Sequence, residues 1–249
     1  MDTRIHAVDI TTIALVLESL EEEIITKLIN RIQFAYNDVI YQPGRSGFEN
    51  DTTHSLFELR LRAHEHMDAR FGRFCVPEER PFTTDLPAAK RRVSLDTGQL
   101  HIDDNNRINL CPEILARYRQ LLPILCDPGD DGQYGSSVEH DVYALQAIAR
   151  RVHFGALYVA ESKFRSDPGG FGALVAHNDL EGIEQKLTRS DVEATILSRV
   201  QEKVKTMQMA VNTRIRKTID PAIVHAFYRD HIIPLTKKGE VRYLLHRSG

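Results

Sequence analysis

The stretch VEHDVYALQAIARRVHFGALYVAESKF, residues 138–164, is the longest regular region of the chain, and its reading decides the fold class. Val152, Ala156 and Val159 fall on one helical line that reaches Lys163, so the segment predicts a long helix with an apolar face and a lysine at its end. Just upstream, DPGDDGQYGSS (127–137) is polar and glycine-rich, as expected of an exposed loop between two packed helices. Before it, Pro112 introduces a helix over 114–125. Nearer the N-terminus, Ile13, Leu17, Leu20, Ile24, Leu28 and Ile32 recur at three- and four-residue steps and predict a helix from 11 to about 39. A loop containing PGRSG follows, a helix over 56–74 comes next, and Pro77, Pro81 and Pro87 then interrupt the backbone.

Downstream of residue 164, DPGG breaks the pattern and a helix is expected over 171–187. SDVE (190–193) has the form of a capping box, in which Ser190 caps a long helix running toward residue 215 and Glu193 reaches back. Pro221 suits a helical start, and Pro234 predicts a kink or restart before the terminal helix at 235–245. The stretch 93–108 lacks sustained periodicity. With no strand-turn-helix unit and no tandem repeat, the chain reads as all-α, several amphipathic helices forming one domain across residues 1–249.

The composition narrows the function classes. Of 249 residues, 42% are hydrophobic and 27% charged, and the net charge of −3 provides no overall attraction for nucleic acid or an anionic membrane. Small anions stay open as ligands. The opening MDTRIHAVDI does not resemble a secretion signal and no later apolar run is long enough to cross a bilayer, so a soluble, cytoplasmic protein is expected. Cys75, Cys111 and Cys126 form no metal-ligand pair and are expected to be reduced structural thiols. The histidines have no metal-site spacing, and the glycine patterns that cradle nucleotides are absent, so neither metal nor cofactor is expected.

Several segments together resemble one family. RRVHFGALYVAESKF (150–164), DLEGI (179–183), SDVE (190–193) and PLTKKGEVRYLL (234–245) are similar, in order and spacing, to the eukaryotic, allosterically regulated chorismate mutases. EEEIITKLINRIQFA (21–35) resembles that family's early helix and GSS (135–137) opens the stronger C-terminal correspondence, with poorer agreement between 41 and 130. The resemblance implies an all-helical homodimer that rearranges chorismate, a small dianion, to prephenate without metal or covalent intermediate. Such a reaction needs a pocket that folds the substrate and stabilises charge on its ether oxygen.

Residue by residue, the resemblance places Lys163 and Glu240 at the ether oxygen, Glu193 at the substrate hydroxyl and Thr236 in the pocket wall. Glu240 suits that place as a protonated donor, since a carboxylate would repel the developing oxyanion. Two arginine positions depart from the family. The first stands eleven residues before the lysine in related enzymes, where this chain has Val152; Arg151 is one residue further, which in a regular helix changes the angle to Lys163 from about 20° to about 120°. A one-residue π-bulge between Gly155 and Val159 would restore Arg151 to the site. The second falls at Ala14, with no lysine or arginine anywhere from 5 to 26, and Arg4 lies too far along the helix to substitute. Arg189, beside the start of a helix, is read either as an offsetting carboxylate ligand or as a solvated charge. His153 is read as structural.

The family's effector pocket, which takes aromatic amino acids at the dimer interface, is matched in part by Arg73, Gly135 and Ser136. Gly72 stands for the usual second arginine and Glu139 for a threonine. Two other functions remain open: an isomerase that keeps Lys163 and Glu240 but takes a less anionic substrate, and an inactive dimeric regulator.

Overall fold

Helices with one apolar stripe must bury it against another element, and the observed architecture is helix packed on helix. A computed structural model describes residues 9–93 and 99–248. Among them the α-helices are α1 (Ile10–Arg31), α2 (Leu56–Phe71), α3 (Cys111–Leu125), α4 (Tyr134–Phe154), α5 (Ala160–Ser166), α6 (Pro168–Ala176), α7 (Leu180–Leu187), α8 (Ser190–Gln208), α9 (Pro221–Phe227) and α10 (Ile233–His246). No strand occurs among the described residues, and none of the helices is long and apolar enough to cross a membrane.

The α1 stripe packs along α4. Ile24, Leu28 and Ile32 join Val138, Val142, Leu145, Ile148 and Val152 in the main core, while Ile13 and Leu20 close on Phe154 at the other end. Each such side chain contributes about 1.5–3 kcal/mol by leaving water. The helix stops at Arg31, short of the expected 39. The Arg31 guanidinium, fully buried, donates to Asp141 at 2.6 Å and to the carbonyls of Ala35 at 3.1 Å and Tyr36 at 3.2 Å, fixing the chain just after it in a turned conformation. Tyr41 and Tyr118 donate to the same Asp141 carboxylate at 2.6 and 2.8 Å.

Further departures fall mostly at helix ends. The helix expected over 171–187 is two, because Asn178 turns left-handed and Asp179 caps α7 through the Gly182 amide at 2.9 Å. A Cβ on Gly182 would collide with the Asp179 carboxylate. α8 ends at Gln208, whose side chain accepts from the Ile219 amide at 2.6 Å and donates to its carbonyl at 3.0 Å, drawing the following loop back across the helix end. SDVE forms no capping box, since α8 begins without a side-chain cap; the box forms instead at Ser55 and Glu58 on α2. Between α9 and α10 lies a π-helical segment, Tyr228–Ile232, and Pro234 stands in the first turn of α10, the restart that the sequence allows. Cys111 and Cys126 are buried thiols and Cys75 is an exposed one.

His153 is structural, as the sequence implies. It is fully buried, its Nε2 accepts from the Leu110 amide at 2.9 Å and its Nδ1 donates to the Ala149 carbonyl at 2.7 Å, so the ring is held neutral. Burial lowers its pKa from 6.5 to about 4. The unfolded chain therefore takes up a proton that the folded chain refuses, and stability present above pH 6.5 is lost as the pH falls toward 4, by about 3 kcal/mol over the window. Urea unfolding at stepped pH checks this: the stability deficit of His153→Gln relative to the parent is expected to shrink by about that amount between neutral pH and pH 4. A deficit independent of pH would contradict the assignment.

Candidate active site

The run from α4 to α5 is one continuous rod with a π-helical segment at Gly155–Val159. A π turn holds an additional residue, which takes up the twelfth step between Arg151 and Lys163 and turns both toward the same side. Arg151 is only 3% exposed. A Cβ built on Gly155 would lie 2.7 Å from Thr236 Cγ2, 3.2 Å from Arg151 Nη1 and 3.6 Å from Leu17 Cδ2, so the arginine, α10 and α1 meet over this glycine. Gly239 permits the matching approach on α10, where a Cβ would stand 2.5 Å from that of Ala156.

At the far end of the rod Lys163 Nζ donates to Glu240 Oε2 at 2.9 Å and to the Leu187 carbonyl at 2.8 Å, joining α5, α7 and α10. Glu240 is nearly buried, and burial pushes its carboxyl above the ordinary range; Lys163, then Lys237 and Arg151, pull it down without cancelling that effect. Thr236, one turn earlier on α10, donates its hydroxyl to the Ile232 carbonyl at 2.8 Å and presents its methyl to Gly155. Glu193, freed from any capping role, pairs with Lys237 at 2.9 Å across α8 and α10.

Arg151 is poorly satisfied. Its Nε and Nη1 are buried without a hydrogen-bond partner, and Nη2 stands 4.0 Å from Glu21. Glu21 itself is committed elsewhere, receiving both arms of the Arg199 guanidinium at 2.9 and 2.7 Å, with Lys203 at 3.6 Å. The Tyr228 hydroxyl is also buried and unpartnered; burial raises its pKa, with Arg151 opposing. Buried, unpartnered guanidinium N–H groups close to Lys163 and Lys237 are donors for an anion.

Arg151, Lys163, Thr236, Glu193 and Glu240 therefore come together. Arg189 does not join them: its side chain is 63% exposed and both arms rest on Asp191, at 3.2 and 3.1 Å, a local fork that water makes inexpensive. Ala14 is exposed on α1, and Arg4 lies outside the described residues. Sequence reading missed Glu21, Arg199 and Lys237. Glu21 left a signal, a carboxylate on the buried stripe of α1, where a charge needs partners.

The effector positions separate. Gly135 and Glu139 line a cavity of about 550 Å³ with Phe48, Arg60 and His66, where Glu139 pairs with Arg60 at 3.4 Å. Ser136 is half-buried in the first turn of α4. Arg73 lies outside that lining, its donors held by Glu79 at 3.0 Å, Asp68 at 2.8 Å and Gln146 at 2.7 Å. Gly72 is the left-handed C-cap of α2, with φ of 84°, a conformation that disfavours a side chain there.

No family model matches the sequence. Individual relatives do: a chorismate mutase of Schizosaccharomyces pombe is 34% identical over 91% of this chain and 91% of its own length, and one of Emericella nidulans is 36% identical over 99% and 97%. Among solved structures, the Candida albicans chorismate mutase in complex with L-Trp superposes with a TM-score of 0.88 at 31% identity, covering 96% of this chain and 92% of that one. Similarity over nearly the full length, in sequence and in helix arrangement alike, makes this chain a member of the chorismate mutase family.

Proposed function

We propose that the pocket between α4, α5, α8 and α10 rearranges chorismate to prephenate. The observation that carries the reading is the buried Arg151, with two unpartnered guanidinium nitrogens, beside a Lys163–Glu240 pair whose carboxyl burial favours in its neutral form. In this isomerisation one ether C–O bond breaks and one C–C bond forms within the same molecule, and no atom enters or leaves. Arg151 clamps a carboxylate and holds the folded conformer. Lys163 donates to the ether oxygen as negative charge grows there, and protonated Glu240 donates a second hydrogen bond. Glu193 accepts from the substrate hydroxyl, and Thr236 fixes the wall against Gly155. Incubation of the purified protein with chorismate is expected to give prephenate; a folded protein that yields none would overturn the reading.

Gly155→Ala probes the same geometry without replacing a charged residue. The new methyl meets Thr236 and Arg151, so the expected result is a loss of about 1–3 kcal/mol in stability with a raised KM, read by thermal unfolding and steady-state rates.

The reading extends to assembly and control. The protein is a homodimer, and the cavity beside Glu139 and Arg60 takes an aromatic amino acid whose ammonium and carboxylate meet that pair. Light scattering at twice 28.4 kDa and a change in rate on adding tryptophan or tyrosine are the expected results. A monomer whose rate none of them alters would contradict this part.

A further inference from the structure

A dianion presents two carboxylates, and no lysine or arginine occurs from Asp9 to Thr26 on α1. Arg151 has free donors for one carboxylate, while Lys163 is directed to Glu240 and the ether oxygen. Resting on the reading above, we propose that Lys237 is a substrate-binding residue whose ammonium receives the second carboxylate.

Lys237 adjoins Thr236 on α10 and precedes Glu240 by three residues, a spacing that places it beside the same helical face. Its side chain is 18% exposed, and its Nζ lies 2.9 Å from Glu193, the carboxylate read as meeting the substrate hydroxyl. Glu240 is within its electrostatic reach, together with that of Lys163 and Arg151. Both lysines are held by carboxylates, Lys163 by Glu240 and Lys237 by Glu193. When Glu193 turns to the hydroxyl, Lys237 is released next to the incoming ligand. The charge count supports the assignment. With Glu21 matched by Arg199, the cations Arg151, Lys163 and Lys237 stand beside Glu193 and Glu240, and burial shifts Glu240 toward its neutral form. Without Lys237 a dianion would enter a site with one cation fewer to offset it, at a cost that low dielectric magnifies.

Steady-state kinetics on the full-length protein test this with Lys237→Ala, Lys237→Arg, Glu193→Gln and the double variant Glu193→Gln/Lys237→Ala. Lys237→Ala is expected to raise KM for chorismate about 10- to 100-fold with kcat little changed, the signature of lost uniform binding. Lys237→Arg restores most of that affinity, and the effect of Lys237→Ala persists in the Glu193→Gln background. An unchanged KM in Lys237→Ala, or an effect that vanishes once Glu193 is neutral, overturns the proposal, because Lys237 would then serve only its partner. A calorimetric titration with a dicarboxylate transition-state analogue and its monoester separates the proposal from the reaction itself. Lys237→Ala is expected to abolish the preference for the dicarboxylate, even if the parent binds chorismate without turning it over. A parent that binds neither compound sinks both readings, whereas an active parent whose Lys237→Ala variant keeps that preference sinks this one alone.

Discussion

Arg151→Met lowers kcat/KM for chorismate by about 10²- to 10³-fold and leaves the melting temperature unchanged or raised. The two halves of this outcome come from one observation. The guanidinium is buried with Nε and Nη1 unpartnered, so within the protein it is a desolvated charge with little compensation. Methionine fills a similar volume without that penalty. Glu21, at 4.0 Å, loses little, because Arg199 and Lys203 still hold it. The transition state loses its clamp. Parallel loss of activity and melting temperature would mean that Arg151 is a structural brace instead.

Lys163→Met is expected to cost about 10³-fold in kcat/KM and to shift the pH dependence of what remains. Burial is the larger influence on Glu240 and raises its pKa; Lys163 is the leading influence in the other direction. Removing the ammonium therefore raises the Glu240 pKa further. The sign follows from the role of the carboxyl: it donates only when protonated, so activity is present below its folded pKa and is lost as pH rises through it. In the parent that descending limb lies above the ordinary carboxylate range, and in Lys163→Met it moves to still higher pH. Glu240→Gln carries a permanent donor, and its rate is expected to lack the limb. A limb that persists in Glu240→Gln would assign the titration to another group.

The legible parts of the sequence were those governed by local periodicity. Ile13, Leu20, Ile24, Leu28 and Ile32 are all buried as their spacing predicts. Helix ends were less legible, because long-range partners set them: Arg31 reaches Asp141 across 110 positions to close α1, and Gln208 ties the Ile219 backbone to close α8. SDVE has the pattern of a capping box yet forms none, since Ser190 is already helical with Arg189 at the cap position, the Glu193 amide donates to the Arg189 carbonyl, and the Glu193 carboxylate pairs with Lys237. The same effect limited the site. Lys163 and Glu240 belong to continuous motifs, whereas the Glu21–Arg199 and Glu193–Lys237 pairs join helices that no local pattern connects. Arg189 shows the converse, a charge in a suggestive place that a neighbour two residues away satisfies in water.

The π segments at Gly155–Val159 and Tyr228–Ile232 also bear on how this scaffold tolerates insertions and deletions. In a regular helix, losing one residue swings everything on one side of the lesion by about 100° relative to the other. A π turn already stores one such residue, so deleting a single position within 155–159 can relax the segment to ordinary helix while the core on either side keeps its register. Folding would survive, and Arg151, then eleven steps before the lysine on a regular helix, would keep its place against Lys163. The extra residue and the π turn thus cancel, and the single deletion is expected to need no second change to keep the clamp in place.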